Sequence, residues 1–269
     1  MKKVAIIILN YNGREVLPAC LASLQLIKVP AGYQLLTILV DNASIDNSQK
    51  QAVSKFPQTI LLQNQANLGF SKAMNKGIKK ALNLGADLVL LLNNDTQVAP
   101  NFLNPLLTAI KQQLVGIVGP ILKHQVKQQI QYDHGGWINW LLGRTEHFNK
   151  TRITLKKPMS RDFVSGACVL VKKEVFEQIG FLDERYFFYF EDVDFCVRAK
   201  KTGWQTLIVP NSIVRHQVSA QANKSIGVKF YHQLRSNLIF SLKHQPWYFK
   251  PLGLLYVLLL GVKIIIKHD

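Results

Sequence analysis

The chain has 269 residues, enough for one large α/β domain or two small ones. Its hydrophobic fraction of 48% supports a sizeable core and argues against wholesale disorder. The three cysteines, Cys20, Cys168 and Cys196, form no CxxC pair, so the sequence predicts a reducing compartment rather than a disulfide framework or a zinc ribbon.

The formal net charge is +17, and its distribution along the chain is uneven. Between Phe195 and His268 there are eleven Lys or Arg residues and no Asp or Glu. Such a block favours a polyanionic partner, either nucleic acid or an anionic lipid surface. A soluble basic face without a specific partner is the simpler interpretation of the same pattern.

The first hundred residues alternate between buried strands and helices. The predicted strands are Val4–Leu9, Leu35–Val40, Ile60–Leu62 and Asp87–Leu92. Apolar residues at helical spacing predict helices from Val16 to Leu24 and from Phe70 to Leu82. Gly85 ends the second of these helices. This alternation predicts an α/β fold with a mainly parallel sheet and helices on both faces. The first strand is too short for a signal peptide, so we expect the catalytic part to stay in the cytoplasm.

The second half of the chain is less regular. Residues 121–160 are polar, with a Gly135-Gly136-Trp137 turn, and suggest an acceptor-side insertion or hairpin. The predicted elements after it are a strand at Phe163–Val171, helices at Glu174–Ile179 and Val193–Lys201, and a strand at Thr206–Val209 that ends at Pro210.

Polar clusters follow three of the early strands, at Asn10–Gly13, Asp41–Asp46 and Asn93–Asp95. Ligands of such sheets bind at the carboxyl ends of the strands. A carboxylate there, such as Asp95, can hold Mg²⁺ or Mn²⁺ on substrate phosphates. An Asx turn that merely closes the strand is the structural alternative.

A second cluster of carboxylates lies among aromatic residues between Asp183 and Asp194. Burial and mutual repulsion raise the pKa of such carboxylates toward that of a useful general base. If a helix begins near Glu191, Asp194 and Arg198 form an i, i+4 ion pair and Asp192 points elsewhere. The alternative is a helix N-terminus that simply favours negative charge. His216, after the last predicted strand, is equally compatible with a metal ligand and with a structural histidine.

Six segments, taken in order, resemble the inverting family 2 glycosyltransferases of GT-A fold, in particular the bacterial rhamnosyltransferase-like branch. They are VAIIILNYNG, VDNASID, NLGFSKAMNKGI, LLLNND, the stretch from FVSGACVLV to FEDVDFCVRAKKTGW, and VPNSIVRH. The resemblance covers about residues 3–240. It implies a metal-dependent enzyme that transfers a sugar, rhamnose in the first place, from a dTDP- or UDP-linked donor to a polysaccharide or lipid-linked glycan acceptor.

The resemblance also implies a role for individual residues. Asp192 matches the catalytic base, Asp95 the metal-binding position of the DxD motif, and His216 a further metal ligand. Asn93 stands where that motif has its first Asp, which leaves less negative charge for the cation. The implied donor-binding residues are Asn10, Asn12, Asp41, Asn67, Gly69, Asn75, Asn93, Gly166 and Ala167.

Two other functions compete with this interpretation. A nucleotidyltransferase on a similar sheet would need a glycine- and basic-rich phosphate loop after the first strand, where the chain reads NYNGRE. A nucleic-acid-binding protein would need a recognised basic module, and it would leave the clustered carboxylates unexplained. We therefore expect no nucleic-acid partner.

The predicted glycosyltransferase domain comprises residues 1–240, with a nucleotide-binding half at 1–100 and an acceptor half at 101–240. Residues 241–269 form a separate C-terminal segment. Pro251–Ile266 is apolar except for Lys263 and follows Trp247 and Tyr248. It is shorter than the roughly 20 residues that a spanning helix needs. A helix lying in the cytoplasmic leaflet of the inner membrane is the prediction, and a helix packed on the core of the domain is the alternative.

Overall fold

The computed structural model describes residues 1–126, 128–217 and 226–266. Its strands are β1 (Lys2–Asn10), β2 (Tyr33–Asp41), β3 (Ile60–Gln63), β4 (Leu88–Asn93), β5 (Thr96–Val98), β6 (Val115–Val126), β7 (Gln129–Asn139), β8 (Arg144–Lys150), β9 (Met159–Ser160), β10 (Cys168–Lys172) and β11 (Gln205–His216). Its helices are α1 (Leu17–Gln25), α2 (Ser48–Lys55), α3 (Phe70–Asn83), α4 (Leu103–Ile110), α5 (Lys173–Ile179), α6 (Glu191–Lys201), α7 (Ile226–His244) and α8 (Lys250–Ile266).

One central sheet carries the fold, with strands in the order β3-β2-β1-β4-β10-β6-β11-β5. The strands β3, β2, β1 and β4 are parallel, as predicted. The remainder is mixed, because β10 runs antiparallel to both β4 and β6 while β6 and β11 are parallel. The prediction of a mainly parallel sheet is therefore correct for the first hundred residues and wrong for the rest.

The apolar run of β1 is continuous because helices cover both faces of the sheet. Ala5 and Ile7 belong to the core on the α3 side, whereas Val4, Ile6 and Ile8 belong to the core on the α1 and α4 side. A Cβ on Gly77 would approach a methyl group of Ile7 to 2.5 Å, so this glycine lets α3 lie close against the sheet.

Three predicted elements of the second half need correction. Residues 121–160 are more regular than predicted, because β6, β7 and β8 form successive antiparallel pairs, and the predicted hairpin is confirmed. The strand predicted at Phe163–Val171 begins only at Cys168, after a loop through Ser165 and Gly166. Strand β11 does not end at Pro210, since a shift of register between Val209 and Ile213 accommodates the proline and the strand continues to His216.

Helices α7 and α8 pack against each other and against the β7–β8 turn. The amide of Gln245 fastens the two helices to this turn by donating to the carbonyl oxygens of Trp140 and Leu141, at 3.0 and 2.9 Å. The predicted boundary at residue 240 falls inside α7, where Phe240 is fully buried, so the division at that point stays a prediction. Within the described ranges, no helix is long and apolar enough to cross a bilayer.

Candidate active site

The polar clusters predicted from the sequence meet at one edge of the sheet. Asn94 donates to Asn10 at 2.9 Å, and Asn10 donates to Asp41 at 2.9 Å. On the other side of Asn94, the amide of Asn93 donates to the carbonyl of Ala167 at 2.9 Å. The carboxyl ends of β1, β2 and β4 and the start of β10 therefore form one hydrogen-bonded arc.

Asp95 and His216 come together at this edge although 121 residues separate them. Strand β11 pairs with β5 in antiparallel orientation, which brings the end of β11 beside the turn after β4. Nε2 of His216 consequently lies 3.2 Å from Oδ1 of Asp95. Both side chains are mostly buried, with 18% and 9% of their surface exposed. Among the described residues, no third His, Cys, Asp or Glu joins this pair to form a group that could hold a metal ion by itself.

A basic cavity of about 550 Å³ opens beside this pair. Lys123 and His124 line it from β6, and Arg215 and His216 line it from β11. Burial lowers the pKa of His124, and the nearby His216 adds to that effect while Asp133 opposes it. The cavity offers positive charge for an anion such as a diphosphate.

Asp192 lies at the β10 end of the arc, in the first turn of α6. One carboxylate oxygen accepts a hydrogen bond from the amide of Gly166 at 2.8 Å, and the other accepts one from the amide of Val193 at 2.8 Å. A Cβ on Gly166 would lie 3.3 Å from the Cβ of Asp192, so the glycine allows this close approach. Gly166 thus links Asp192 to Ala167, and through Ala167 to Asn93.

The two adjacent carboxylates of α6 have different environments. Glu191 is 6% exposed, and burial, reinforced by the charge of Asp192, raises its pKa well above the usual range. Burial also raises the pKa of Asp192, but the Gly166 and Val193 amides favour its ionised form. Glu191 is therefore the neutral member of the pair and Asp192 the ionised one.

The helix α6 is held in place from its opposite face. The predicted pair of Asp194 and Arg198 forms, with Nε 2.8 Å from Oδ2. Asp194 is fully buried and also accepts from Lys243 and from His244 of α7. Burial opposes ionisation of Asp194, but these three partners outweigh it and keep its pKa below the usual range.

Three of the predicted donor-binding residues, Asn10, Asn12 and Asp41, lie at or just after the carboxyl ends of β1 and β2, beside the loop that follows β2. Asp41 and Asn10 are both 0% exposed, and Asp41 also accepts from the amide and the hydroxyl of Ser44. A carboxylate so enclosed supports its loop, and neither residue presents a surface to a base or ribose. Asn12, which donates its amide to Ser44 and accepts from the amide of Ile45, lies closer to solvent.

Two of the remaining predicted donor-binding residues, Asn67 and Gly69, lie in the turn before α3, whereas Asn75 lies inside that helix. Asn67 accepts from Asn42 and from the amide of Gly69, which has φ +78° and directly precedes α3. Asn75 is buried, and its amide is hydrogen bonded to the backbone of Leu182 at 2.9 and 3.1 Å. Its contacts therefore give no support to a direct role at the donor site.

A histidine that the sequence analysis did not identify lies near Asp192. His147, on β8, donates from Nδ1 to Asp133 of β7 at 2.7 Å. Burial alone would lower the pKa of His147, but the Asp133 hydrogen bond and the charges of Asp133 and Asp192 outweigh it and raise that pKa. Only the pairing of β7 with β8 joins these residues, so no local pattern could reveal them.

Comparisons with known proteins identify the family and agree with the fold. Residues 5–180 match the family model described as "Glycosyl transferase family 2".

This chain belongs to glycosyl transferase family 2.

Among its relatives in this family is N-acetylglucosaminyl-diphospho-decaprenol L-rhamnosyltransferase of Mycobacterium tuberculosis, with 29% identity over 92% of this chain and 87% of the relative. The dTDP-rhamnosyl transferase RfbF of Shigella flexneri is 23% identical over 78% of this chain and 72% of that protein. The mannosyltransferase PcManGT of Pyrobaculum calidifontis, solved with GDP-Man and Mn²⁺, shares the fold with a TM-score of 0.65 and 15% identity over 93% of this chain and 67% of that one.

The chain is thus a glycosyltransferase with a GT-A-like fold and a mixed central sheet. Membership in the family also decides against a nucleotidyltransferase.

Proposed function

We propose that this enzyme transfers rhamnose, with inversion, from a dTDP-linked donor to a lipid-linked glycan acceptor at the cytoplasmic face of the inner membrane. The placement of Asp95 with His216 beside the middle of the arc, and of Asp192 at its β10 end, carries the proposal. Two relatives named as rhamnosyltransferases, one of them for an N-acetylglucosaminyl-diphospho-decaprenol, support the choice of sugar and acceptor.

The donor occupies the edge of the sheet between the β2 loop and the basic cavity. Lys123 and Arg215 give that cavity the positive charge that a diphosphate requires. Asp95 and His216 supply one carboxylate oxygen and one imidazole nitrogen, and donor oxygens and water would complete the coordination of a divalent cation. When bound, Mg²⁺ or Mn²⁺ would neutralise charge on the departing diphosphate. Imidazole is a softer ligand than carboxylate, so this pair favours Mn²⁺ over Mg²⁺.

Asp192 acts as the general base. Its ionised carboxylate accepts the proton of the acceptor hydroxyl while that oxygen attacks the anomeric carbon on the face opposite the nucleoside diphosphate. The bond to the leaving oxygen breaks in the same displacement, which inverts the anomeric configuration. The amides of Gly166 and Val193 fix the carboxylate in one orientation for this transfer.

Exposed apolar stripes on α7 and α8 support the membrane location. On α8, Leu252, Leu255 and Leu258 are 43%, 52% and 67% exposed, and Trp247 before the helix is 80% exposed. Tyr231 and Leu242 extend the apolar surface on α7. Lysines and arginines accompany these residues, and no acidic residue occurs between Phe195 and His268, which suits an anionic lipid surface.

A donor panel tests the enzymatic part of the proposal. The purified full chain is incubated with dTDP-rhamnose, UDP-N-acetylglucosamine and GDP-mannose, and release of nucleotide is followed with Mn²⁺, with Mg²⁺ and with EDTA. We expect dTDP-rhamnose to be preferred and EDTA to abolish its use. Preference for another donor, or equal activity in EDTA, would contradict the sugar or the metal assignment.

The membrane location is tested by substitutions that change the apolar surface of α8 and leave the catalytic residues intact. Replacement of Leu252, Leu255 and Leu258 by Gln should release the protein from anionic vesicles while donor use is unchanged. The control replaces Leu26, Leu114 and Leu141, which are exposed elsewhere, with Gln. Equal vesicle binding by the wild type and the α8 variant would refute the membrane interpretation.

A further inference from the structure

A second cavity lies between β8, α7 and α8, with Phe190 in its wall. It has a volume of about 500 Å³. Arg144 and Thr145 line it from β8, Gln233 and Asn237 from α7, and an apolar wall from α8 consists of Tyr256, Leu259 and Leu260. Its lining is thus polar and basic on one side and apolar on the other, which suits a ligand with both characters.

One polar group in this wall has no hydrogen-bond partner. Asn237 is 5% exposed, and its side-chain oxygen is without a partner among the described residues. A buried amide oxygen that lacks a partner costs free energy, so a site that retains one points to a ligand that supplies the donor. Sugar hydroxyl and acetamido groups are donors of this kind.

The cavity is continuous with the apolar surface of α8. Leu259 lines the cavity and is also 59% exposed, next to Leu255 and Leu258 of the exposed stripe. An apolar chain lying along that stripe would therefore enter the cavity without crossing a polar surface.

The cavity is also connected to the catalytic residues. Phe190, which lines it, adopts φ +68° directly before Glu191 and Asp192. Strand β8 runs from Arg144 at the cavity to His147, whose pKa is sensitive to the charge of Asp192. Thr145 of the cavity wall and His147 share one face of β8 and lie about 7 Å apart along the strand, so one ligand can reach from the cavity toward His147.

We infer that this cavity binds the acceptor as a sugar linked to a prenyl diphosphate. This inference rests on the proposed function and assigns the acceptor a place in the structure. Leu259, Leu260 and Tyr256 contact the first prenyl units, Arg144 binds the diphosphate, and Asn237 accepts from the sugar. Glu146 now lies 3.2 Å from Arg144, but the two side chains are 35% and 49% exposed, so this solvent-accessible ion pair is weak enough for a diphosphate to replace it.

Direct binding to the full chain tests the inference, with farnesyl diphosphate, farnesol and pyrophosphate as probes. Leu259→Gln should weaken binding of farnesyl diphosphate and farnesol about tenfold, and Arg144→Gln should weaken binding of farnesyl diphosphate and pyrophosphate by a similar factor. The matched controls are Leu114→Gln, which is 58% exposed against 59% for Leu259 but lies just before β6, and Lys150→Gln, at the far end of β8. Both controls lie outside the cavity and should change binding less than twofold.

The same variants are then assayed for transfer to a sugar on a prenyl diphosphate. KM for this acceptor should rise about tenfold in the two cavity variants, whereas KM for the nucleotide sugar should not change. Wild-type farnesyl diphosphate affinity in both cavity variants, or equal losses in the controls, would overturn the inference. If the enzyme uses no rhamnose donor, the proposed function fails, while the binding measurements still decide the cavity.

Discussion

Replacement of Asp192 by Asn is the most direct test of the assigned general base. The two side chains have nearly the same size, and an Asn oxygen can still accept from the amide of Gly166, 2.8 Å away in the native protein. The amide group that replaces the other oxygen faces the backbone amide of Val193, so one hydrogen bond is lost. We therefore expect the variant to fold and to bind the donor nucleotide.

The expected loss of rate follows from the role of the carboxylate. A positioned general base contributes roughly 10²–10⁴ in rate, or about 3–5 kcal/mol of transition-state stabilisation. Glu191→Gln is the matched control, because burial raises the pKa of Glu191 and keeps it neutral. That variant should retain transfer within about tenfold of the wild type.

The assay measures transfer to acceptor and nucleotide affinity on the same preparations. A pH profile adds an independent readout, since burial raises the pKa of Asp192 and the acid limb of the rate should lie above the ordinary range for an aspartate. The rate should increase with pH through that limb as Asp192 loses its proton. Near-normal transfer by Asp192→Asn, or an equal loss in Glu191→Gln, would refute the assignment.

Three further predictions concern the surroundings of these residues. Asp95→Ala should weaken Mn²⁺-dependent nucleotide binding at least tenfold in calorimetry and His216→Ala should do so less, whereas unchanged metal dependence in both would leave them a structural pair. Gly166→Ala should lower kcat more than nucleotide affinity, because a Cβ there would lie 3.3 Å from Asp192; equal effects on both would show that the glycine serves the donor. Lys243→Met should lower the free energy of unfolding by about 1–3 kcal/mol at pH 7. The pKa of Asp194 is lower in the folded state than in the unfolded state. Ionised Asp194 therefore stabilises the fold above its unfolded-state pKa, and this stabilisation is lost as pH falls through its folded-state pKa. The unfolding free energies of wild type and variant should accordingly converge in acid.

Local sequence patterns predicted the parallel half of the sheet because its strands are continuous apolar runs followed by turn residues. The spacing of Asp194 and Arg198 likewise predicted an ion pair that the structure confirms. The polar helix α2, with few apolar residues, gave no such periodicity.

What the sequence did not reveal depends on long-range pairing. The contact of His147 with Asp133 requires the antiparallel pairing of β7 with β8, and the extension of β11 past Pro210 requires the strand beside it. Burial of Asp41 depends on the hydroxyl of Ser44, which turns the loop back over the carboxylate.

The anchoring of Asp194 by α7 has a thermodynamic consequence. Lys243 and His244 join a helix with an exposed apolar stripe to the helix that carries Asp192. If lipid binding favours one position of α7, it favours the same position of α6, and linkage makes the effect reciprocal. Any substrate that binds more tightly to that position must then increase the affinity for the membrane by the same factor. A donor that binds more tightly to that position would thus hold the enzyme longer at the bilayer, and its release would favour departure.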